Sequence, residues 1–138
     1  MREIYAEVKI TNYGDLEALA REVIKPEEVR SITLKGRIDT GSTSLVIPRE
    51  IYHKLGLREL KEVEVTYADR RRRKRPIASA VRVEIQGRDT VTLPVIEEEG
   101  EVLIGNPVIE AMDFRVDSVT GELLPRHPES PIPVEEIL

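Results

Sequence analysis

One short segment combines a carboxylate, hydroxyls and a glycine in an order suited to acid–base chemistry. Asp39, Thr40, Gly41 and Ser42 follow an apolar stretch that ends at Ile38. A carboxylate at the end of a strand can give or take a proton, and a glycine lets main-chain amides approach it closely. The hydroxyls of Thr40 and Ser42 are further donors. The segment predicts an acid–base site centred on Asp39, against the alternative of an ordinary turn.

Other catalytic chemistry is restricted by composition. The 138-residue chain has no cysteine and two histidines, His53 and His127. Without cysteine there is no thiol nucleophile, disulfide or zinc–thiolate site, and two histidines disfavour a histidine-built metal site. We therefore expect neither a metal nor a cofactor. His53 is near Ser42 in sequence, but it follows Pro48 and is expected on a helix surface, not in a serine triad.

Two charged runs are candidate binding sites. Glutamates 97–99 lack the regular alternation of a calcium-binding loop, so an acidic turn is predicted. The basic run at 70–75 has no interleaved aromatic residue except the nearby Tyr67, and the net charge of −5 disfavours general affinity for nucleic acid. We expect a solvated hairpin tip and no nucleic-acid partner.

The elements around these residues are mainly strands. Valine, isoleucine and leucine number 15, 14 and 12, while only five residues are aromatic, which predicts one domain with an aliphatic, β-rich core. Apolar alternation or short apolar runs predict strands at 4–10, 30–38, 45–47, 63–67, 77–85, 91–95, 102–104 and 114–116. Helical spacing and capping residues predict helices at 15–24, at 49–55 and from Pro107 with Asn106 as its cap.

The two ends of the chain give further expectations. The first residues alternate charged and apolar side chains, unlike a signal peptide, and no apolar run approaches the roughly eighteen residues of a membrane span. We expect a soluble, cytoplasmic protein without a membrane partner. Residues 1–124 are predicted to form the domain. Residues 125–138 hold four of the nine prolines and are predicted to form an extended arm, which either crosses to a partner subunit or stays disordered.

The order of elements around Asp39 resembles that of the retropepsin-like aspartic proteases, the single-domain relatives of retroviral protease that also occur as stand-alone cellular proteins. In that family an Asp-Thr-Gly-Ser turn follows a strand and precedes a short apolar strand, here 45–47. The resemblance runs from about residue 32 to residue 116. It implies an all-β fold, a small closed or partly open acid-protease-type barrel with two or three short helices and one Asp-Thr-Gly motif per chain.

The second half of the chain continues this resemblance. A β-hairpin flap follows in the family, here about 62–85, and then a pair of apolar residues stands before a glycine and a short helix. Those positions are Leu103, Ile104 and Gly105, followed by 106–112. The resemblance implies substrate contacts at the flap tip and at the end of this strand. The residues concerned are Tyr67, Ala68, Asp69, Arg70, Ile104 and Gly105.

The resemblance also implies an endopeptidase that acts on a peptide or protein as a homodimer, because the chain has one Asp-Thr-Gly and the chemistry needs two aspartates. Asp39 of each subunit would meet at the two-fold axis. Two carboxylates about 3 Å apart cannot both ionise, so they share one proton. By the same resemblance, Thr40 bonds across to the partner's turn, Gly41 supplies backbone and Ser42 supports the carboxylate.

Three features depart from the viral pattern. No glycine lies between Gly56 and Gly87, whereas viral flap tips are glycine-rich, and Asn106 stands where viral enzymes have an arginine. The helix predicted at about 15–25 is an insertion. The alternative to an enzyme is a non-catalytic module of the same fold that uses the basic hairpin to bind an acidic peptide or RNA.

Overall fold

In the computed structural model, which describes residues 3–138, the chain forms one curled nine-stranded sheet, a separate two-stranded sheet and three short α-helices. The strands are β1 (Ile4–Asn12), β2 (Ser31–Asp39), β3 (Leu45–Pro48), β4 (Glu59–Thr66), β5 (Arg72–Ala78), β6 (Val81–Ile85), β7 (Arg88–Thr92), β8 (Val95–Glu97), β9 (Leu103–Gly105), β10 (Phe114–Asp117) and β11 (Glu122–Pro125). The helices are α1 (Tyr13–Ala20), α2 (Arg49–Lys54) and α3 (Asn106–Ala111), with a 3-10 turn at Pro26–Glu28.

The large sheet has the strand order β4-β5-β8-β3-β9-β2-β1-β6-β7. Strands β4 and β7 lie at its two edges, so the sheet curls around the core without closing. The core is aliphatic, as the composition predicts, and Phe114 is the largest of its fully buried side chains. The predicted all-β, partly open barrel with short helices is confirmed.

Helix α1 is shorter than its apolar spacing predicts. It starts at Tyr13 because the Asn12 side chain caps it, accepting a hydrogen bond of 3.0 Å from the amide of Asp15. It ends at Ala20, and Glu22 then adopts a left-handed φ of 59° that turns the chain away. The predicted extension to residue 24 is therefore wrong, and Val23 is 73% exposed.

The predicted flap hairpin is placed differently. The sequence predicts that strand 63–67 pairs with strand 77–85 across the basic run. Instead β4 pairs with β5, whose strand contains most of that run, and residues 67–71 form the turn. Strand β6 pairs with β1 and β7, away from the hairpin. The strand is interrupted after Ala78: the amide of Ser79 still bonds to the carbonyl of Arg58 (2.8 Å), on the β4 side, whereas Val81 pairs with β1 and β7.

Two further details concern the second half of the chain. Asn106 is the first residue of α3, not its cap, and its side-chain amide donates to Glu110 Oε1 at 2.8 Å. Residues 126–138 form no helix or strand. None of the helices among residues 3–138 is long and apolar enough to cross a membrane.

Candidate functional site

Asp39 is the last residue of β2, where the strand leaves the core. Strand β2 runs parallel to β9, and the register places Asp39 beside Gly105. The Asp39 side chain is half-buried, while Thr40 and Gly41 beyond it are exposed. The carboxylate therefore lies at the rim of the molecule, where the paired strands β2 and β9 end.

The loop after Asp39 supports the carboxylate through main-chain groups. The amide of Gly41 donates to Asp39 Oδ1 at 3.1 Å, and the amide of Ser42 donates to the Asp39 carbonyl at 3.0 Å. The Ser42 hydroxyl instead donates to the carbonyl of Ser44 (3.2 Å) and accepts from its amide (3.3 Å). The main-chain support predicted for Asp39 is present, whereas the Ser42 hydroxyl closes its own turn and does not reach the carboxylate.

Gly105 and Asn106 clamp this loop from the neighbouring strand. The amide of Gly105 donates to the carbonyl of Ser44, and the amide of Asn106 donates to the carbonyl of Ser42, each at 3.0 Å. Ile104 beside them is fully buried in the core. Of the two strand-end residues predicted to contact substrate, only Gly105 therefore borders the Asp39 loop, and Ile104 supports it from below.

The four predicted flap-tip residues lie in the turn of the β4–β5 hairpin. Tyr67 and Arg71 close the turn through a 2.9 Å main-chain bond, and Arg70 has a left-handed φ of 69°. Asp69 accepts from the Arg71 amide (3.0 Å) and guanidinium (2.5 Å), which lowers the pKa of Asp69. Ala68 is exposed. Within a single chain, no hydrogen bond or ion pair among the described residues joins this tip to the Asp39 loop.

Glu97 and Arg75 form a pair that the sequence does not predict. Glu97, the last residue of β8, accepts hydrogen bonds from the Tyr67 hydroxyl and from Arg75 Nε. These groups and glutamates 98 and 99 line an open pocket of about 320 Å³ between hairpin and β8. The pocket is also lined by Arg71 and Arg73. The alternation of arginines at 71, 73 and 75, which places them on one face of a strand, was the available signal.

The other candidates of the sequence analysis stay apart from this region. His53 is exposed on α2, with its ring against Tyr52 at a centroid distance of 5.1 Å, and the Ser42 hydroxyl is engaged with Ser44. In the part of the chain from residue 3 onward, no three histidine or acidic side chains come together as metal ligands would.

Comparison with solved structures shows the fold. The crystal structure of the retroviral protease-like domain of Ddi1 from Leishmania major aligns with a TM-score of 0.54 and 12% identity, over 90% of this chain and 88% of that one. The solution structure of simian foamy virus (mac) protease aligns with a TM-score of 0.49 and 13% identity, over 79% and 92%. No family model and no curated protein matches the sequence. The chain has a retropepsin-like fold.

Proposed function

We propose that this retropepsin-fold chain is an aspartic endopeptidase that hydrolyses peptide bonds as a homodimer. The observation that carries the proposal is the placement of Asp39. Its carboxylate stands half-buried at the rim of the molecule, fixed by the amide of Gly41, in a loop whose outermost residues are exposed. A fixed carboxylate at an open rim can meet a second copy of itself across a two-fold axis.

The chemistry follows from that meeting. Two Asp39 carboxylates about 3 Å apart hold one proton between them, since like charges at this distance cannot both persist. The ionised carboxylate takes a proton from a water molecule, which attacks the scissile carbonyl, while the protonated carboxylate donates to the carbonyl oxygen. Collapse of the tetrahedral intermediate breaks the C–N bond, and the amine leaves with a proton from the dyad.

Two surfaces of the single chain support a two-fold assembly. Thr40 and Gly41 are exposed beside the carboxylate, where the partner's loop would lie. Strands β10 and β11 form a two-stranded sheet that is not hydrogen-bonded to the main sheet. A two-stranded sheet is marginal by itself and leaves its outer edges unpaired. Strands from a second copy would extend it symmetrically.

In the dimer, the β4–β5 hairpin serves as the flap over the cleft. Its turn residues Tyr67, Ala68, Asp69 and Arg70 would contact the peptide from above, and the main chain at Gly105 would contact it from below. The turn lacks glycine, so the hairpin is stiffer at its tip than a glycine-rich flap. We therefore expect it to move as a unit about its base.

The test is cleavage of a mixed peptide library by the purified chain and by Asp39→Asn. Wild type should cleave, and the variant should lose at least about a thousandfold in rate, since amide and carboxyl groups cannot share the proton. Asp89→Asn, which changes an exposed carboxylate on β7, is the matched control and should cleave normally.

Adding excess Asp39→Asn to wild type should suppress activity by forming mixed dimers, and dilution should lower the specific activity. Full activity in a demonstrated monomer contradicts the proposal.

A second candidate function rests on the charge of the hairpin. Residues 59–78 contain seven lysines and arginines against four acidic residues, in a chain of net charge −5. A non-catalytic module would use this surface to bind an acidic peptide or RNA. If wild type and Asp39→Asn are equally inactive, and both bind a polyglutamate peptide in a salt-sensitive way, this second function replaces the first.

A further inference from the structure

The β4–β5 hairpin extends well beyond the sheet that carries it. Its two strands pair with each other from Glu59 and Ala78 out to Thr66 and Arg72. The body of the sheet continues from β5 through β8, and that pairing consists of Ile77 beside Val95, with an adjoining bond from the Ala78 amide to the carbonyl of Pro94 (2.9 Å). The outer part of the hairpin therefore has no ladder partner in the described sheet. Something other than main-chain pairing must set its direction.

Among residues 3–138, one side chain of the body, that of Glu97, hydrogen-bonds to that outer part. The carboxylate of Glu97 accepts from Arg75 Nε with one oxygen and from the Tyr67 hydroxyl with the other. Arg75 is in the middle of β5 and Tyr67 is the first residue of the turn, so the two contacts hold the hairpin at separate points along its length. The side chains of Arg75 and Glu97 are 27% and 22% exposed, so solvent screens this pair less than a fully exposed one.

The tyrosine is itself held in place by arginines of the same hairpin face. The guanidinium of Arg71 lies 5.5 Å from the centre of the Tyr67 ring, and that of Arg75 lies 6.0 Å from it. Such cation–π contacts stabilise the ring position. Burial and the hydrogen bond to Glu97 raise the pKa of Tyr67, and the same carboxylate raises the pKa of Arg75. Both groups therefore keep their protons, and both remain donors to Glu97 through the neutral range.

The two carboxylates that follow Glu97 in the chain, those of Glu98 and Glu99, make no hydrogen bond or ion pair to the outer hairpin within residues 3–138. Glu98 pairs with Arg49 on α2 at 3.1 Å, and Arg49 in turn pairs with Glu59 at the base of the hairpin at 3.2 Å, not with its outer part. Glu99 is exposed and has no ion pair or side-chain hydrogen bond within residues 3–138. Among the described residues of β8 and its following loop, Glu97 is thus the acidic residue that hydrogen-bonds to the outer part of the hairpin.

We propose that Glu97 is a positioning residue that fixes the angle of the β4–β5 hairpin relative to the sheet, through its simultaneous contacts with Tyr67 and Arg75. The inference rests on the proposed function in one respect, that the hairpin is the flap over the cleft. Glu97 does not act on the reacting atoms, because β8 is separated from Asp39 on β2 by β3 and β9. Its effect on hydrolysis passes through the flap.

The first experiment measures the hairpin directly, by amide hydrogen exchange in the full chain. Glu97→Gln removes the charge and keeps the size of the side chain. It should speed exchange of the outer β4 and β5 amides by about tenfold, as expected for losing about 1.4 kcal/mol of local stability. Exchange at Val8 and Ile10 of β1 should not change. Glu99→Gln makes the same charge change nearby and should alter neither region.

A double-mutant cycle separates the contact from general damage. Arg75→Gln and Glu97→Gln should each speed hairpin exchange, and the double variant should be no faster than the worse single variant, because both remove one shared contact. Additive effects contradict the proposal. So does equal acceleration in β1 and in the hairpin, which would show that Glu97 supports the whole fold.

A kinetic arm links the hairpin to hydrolysis. With a cleaved peptide as probe, Glu97→Gln should raise KM by about fivefold to tenfold and change kcat by less than about twofold, because a loosely held flap weakens substrate binding without altering the Asp39 dyad. A loss confined to kcat contradicts the proposal. If the wild-type chain cleaves nothing, the endopeptidase proposal fails, and the exchange measurements still decide the role of Glu97.

Discussion

The α-carbon of Gly105 packs against the main-chain carbonyl of Ser42, with no space for a side chain between them. A Cβ atom built on Gly105 would lie 2.6 Å from that oxygen and 2.5 Å from the carbonyl oxygen of Ser44. These are main-chain atoms of the Asp39 loop, so they cannot move aside without displacing the loop. The absence of a side chain at Gly105, at the end of β9, therefore allows the loop that holds the Asp39 carboxylate, at the end of β2, to lie where it does.

Replacing Gly105 with alanine tests this contact. Gly105→Ala should destabilise the fold by about 1–3 kcal/mol, as overpacking in a tight site does, and should abolish most peptide cleavage because the loop is displaced. Urea unfolding and peptide cleavage measure the two effects. Gly87→Ala is the control. A Cβ there meets no atom within 4 Å, although the φ of 79°, which glycine adopts freely, is strained for alanine. It should lose some stability and keep its activity. Normal activity in Gly105→Ala would show that the loop has room to adjust.

The pair of buried Asp15 and half-exposed Arg30 predicts a pH dependence of stability. Arg30 donates to Asp15 from its guanidinium and its main-chain amide, at 2.9 Å in each case. The guanidinium lowers the pKa of Asp15, although burial alone would raise it. Because the folded-state pKa lies below the unfolded one, the ionised carboxylate stabilises the fold above about pH 4, and this stability is lost as the pH falls through the lowered value.

Asp15→Asn is the corresponding variant. It should be less stable than wild type by about 1–2 kcal/mol at pH 7, a figure reduced from that of a fully buried pair because Arg30 is half exposed. The difference should shrink as the pH falls below about 4. Urea unfolding at several pH values measures it, with Asp89→Asn as the control that should match wild type throughout. A stability difference that stays constant down to pH 2 would show that the charge of Asp15 is not its cause.

The end of the chain is predicted to stay on its own subunit. Asp113 is buried and accepts from the Val134 amide at 3.0 Å and from His127 at 2.8 Å, while the Arg126 amide donates to its carbonyl. Burial alone would raise the pKa of Asp113, but these contacts and nearby Arg88 lower it. These bonds tie residues 126–134 to the body of the same chain.

Deleting residues 127–138 should therefore lower the midpoint of urea unfolding and leave dimerisation unchanged. The reason is that the deletion strips His127 and the Val134 amide from a buried carboxylate that remains in the body. Sedimentation measures the dimer and urea unfolding measures the fold. Deleting only Ile137 and Leu138, which are 90% exposed and fully exposed, should change neither. A weakened dimer in the longer deletion would instead favour an arm that crosses to the partner.

The pH profile of cleavage tests the shared proton. If two Asp39 carboxylates act with one proton between them, kcat/KM should fall on both sides of an optimum, since only the singly protonated dyad is active. We expect the optimum on the acid side of neutrality, because Asp39 has no histidine beside it in the sequence. Initial rates with one peptide from pH 3 to pH 9 measure it. A rate that rises steadily to pH 9 contradicts the dyad.

Much of the fold was available from local pattern. The two-residue alternation in β1 and β2 predicted both strands to within two residues at each end, because that alternation directly records which side faces the core. The Asp39 turn was evident because its residue types are rare in that combination at a strand end. Pro48 and Gly56 bracketed the second helix for steric reasons that operate within a few residues.

The remaining features depended on distant parts of the chain. Alternation in 77–85 showed that apolar side chains were buried, but it did not show that β6 would pair with β1 while β5 paired with β4. The apolar spacing of α1 gave no hint that Asp15 would be the residue buried in it, since its partner Arg30 lies fifteen positions away. The contact of Glu97 with Tyr67 and Arg75 spans 30 and 22 positions. Periodicity determines which face of an element is buried, whereas pairing and charge contacts are set by the closure of long loops, which only the tertiary structure decides.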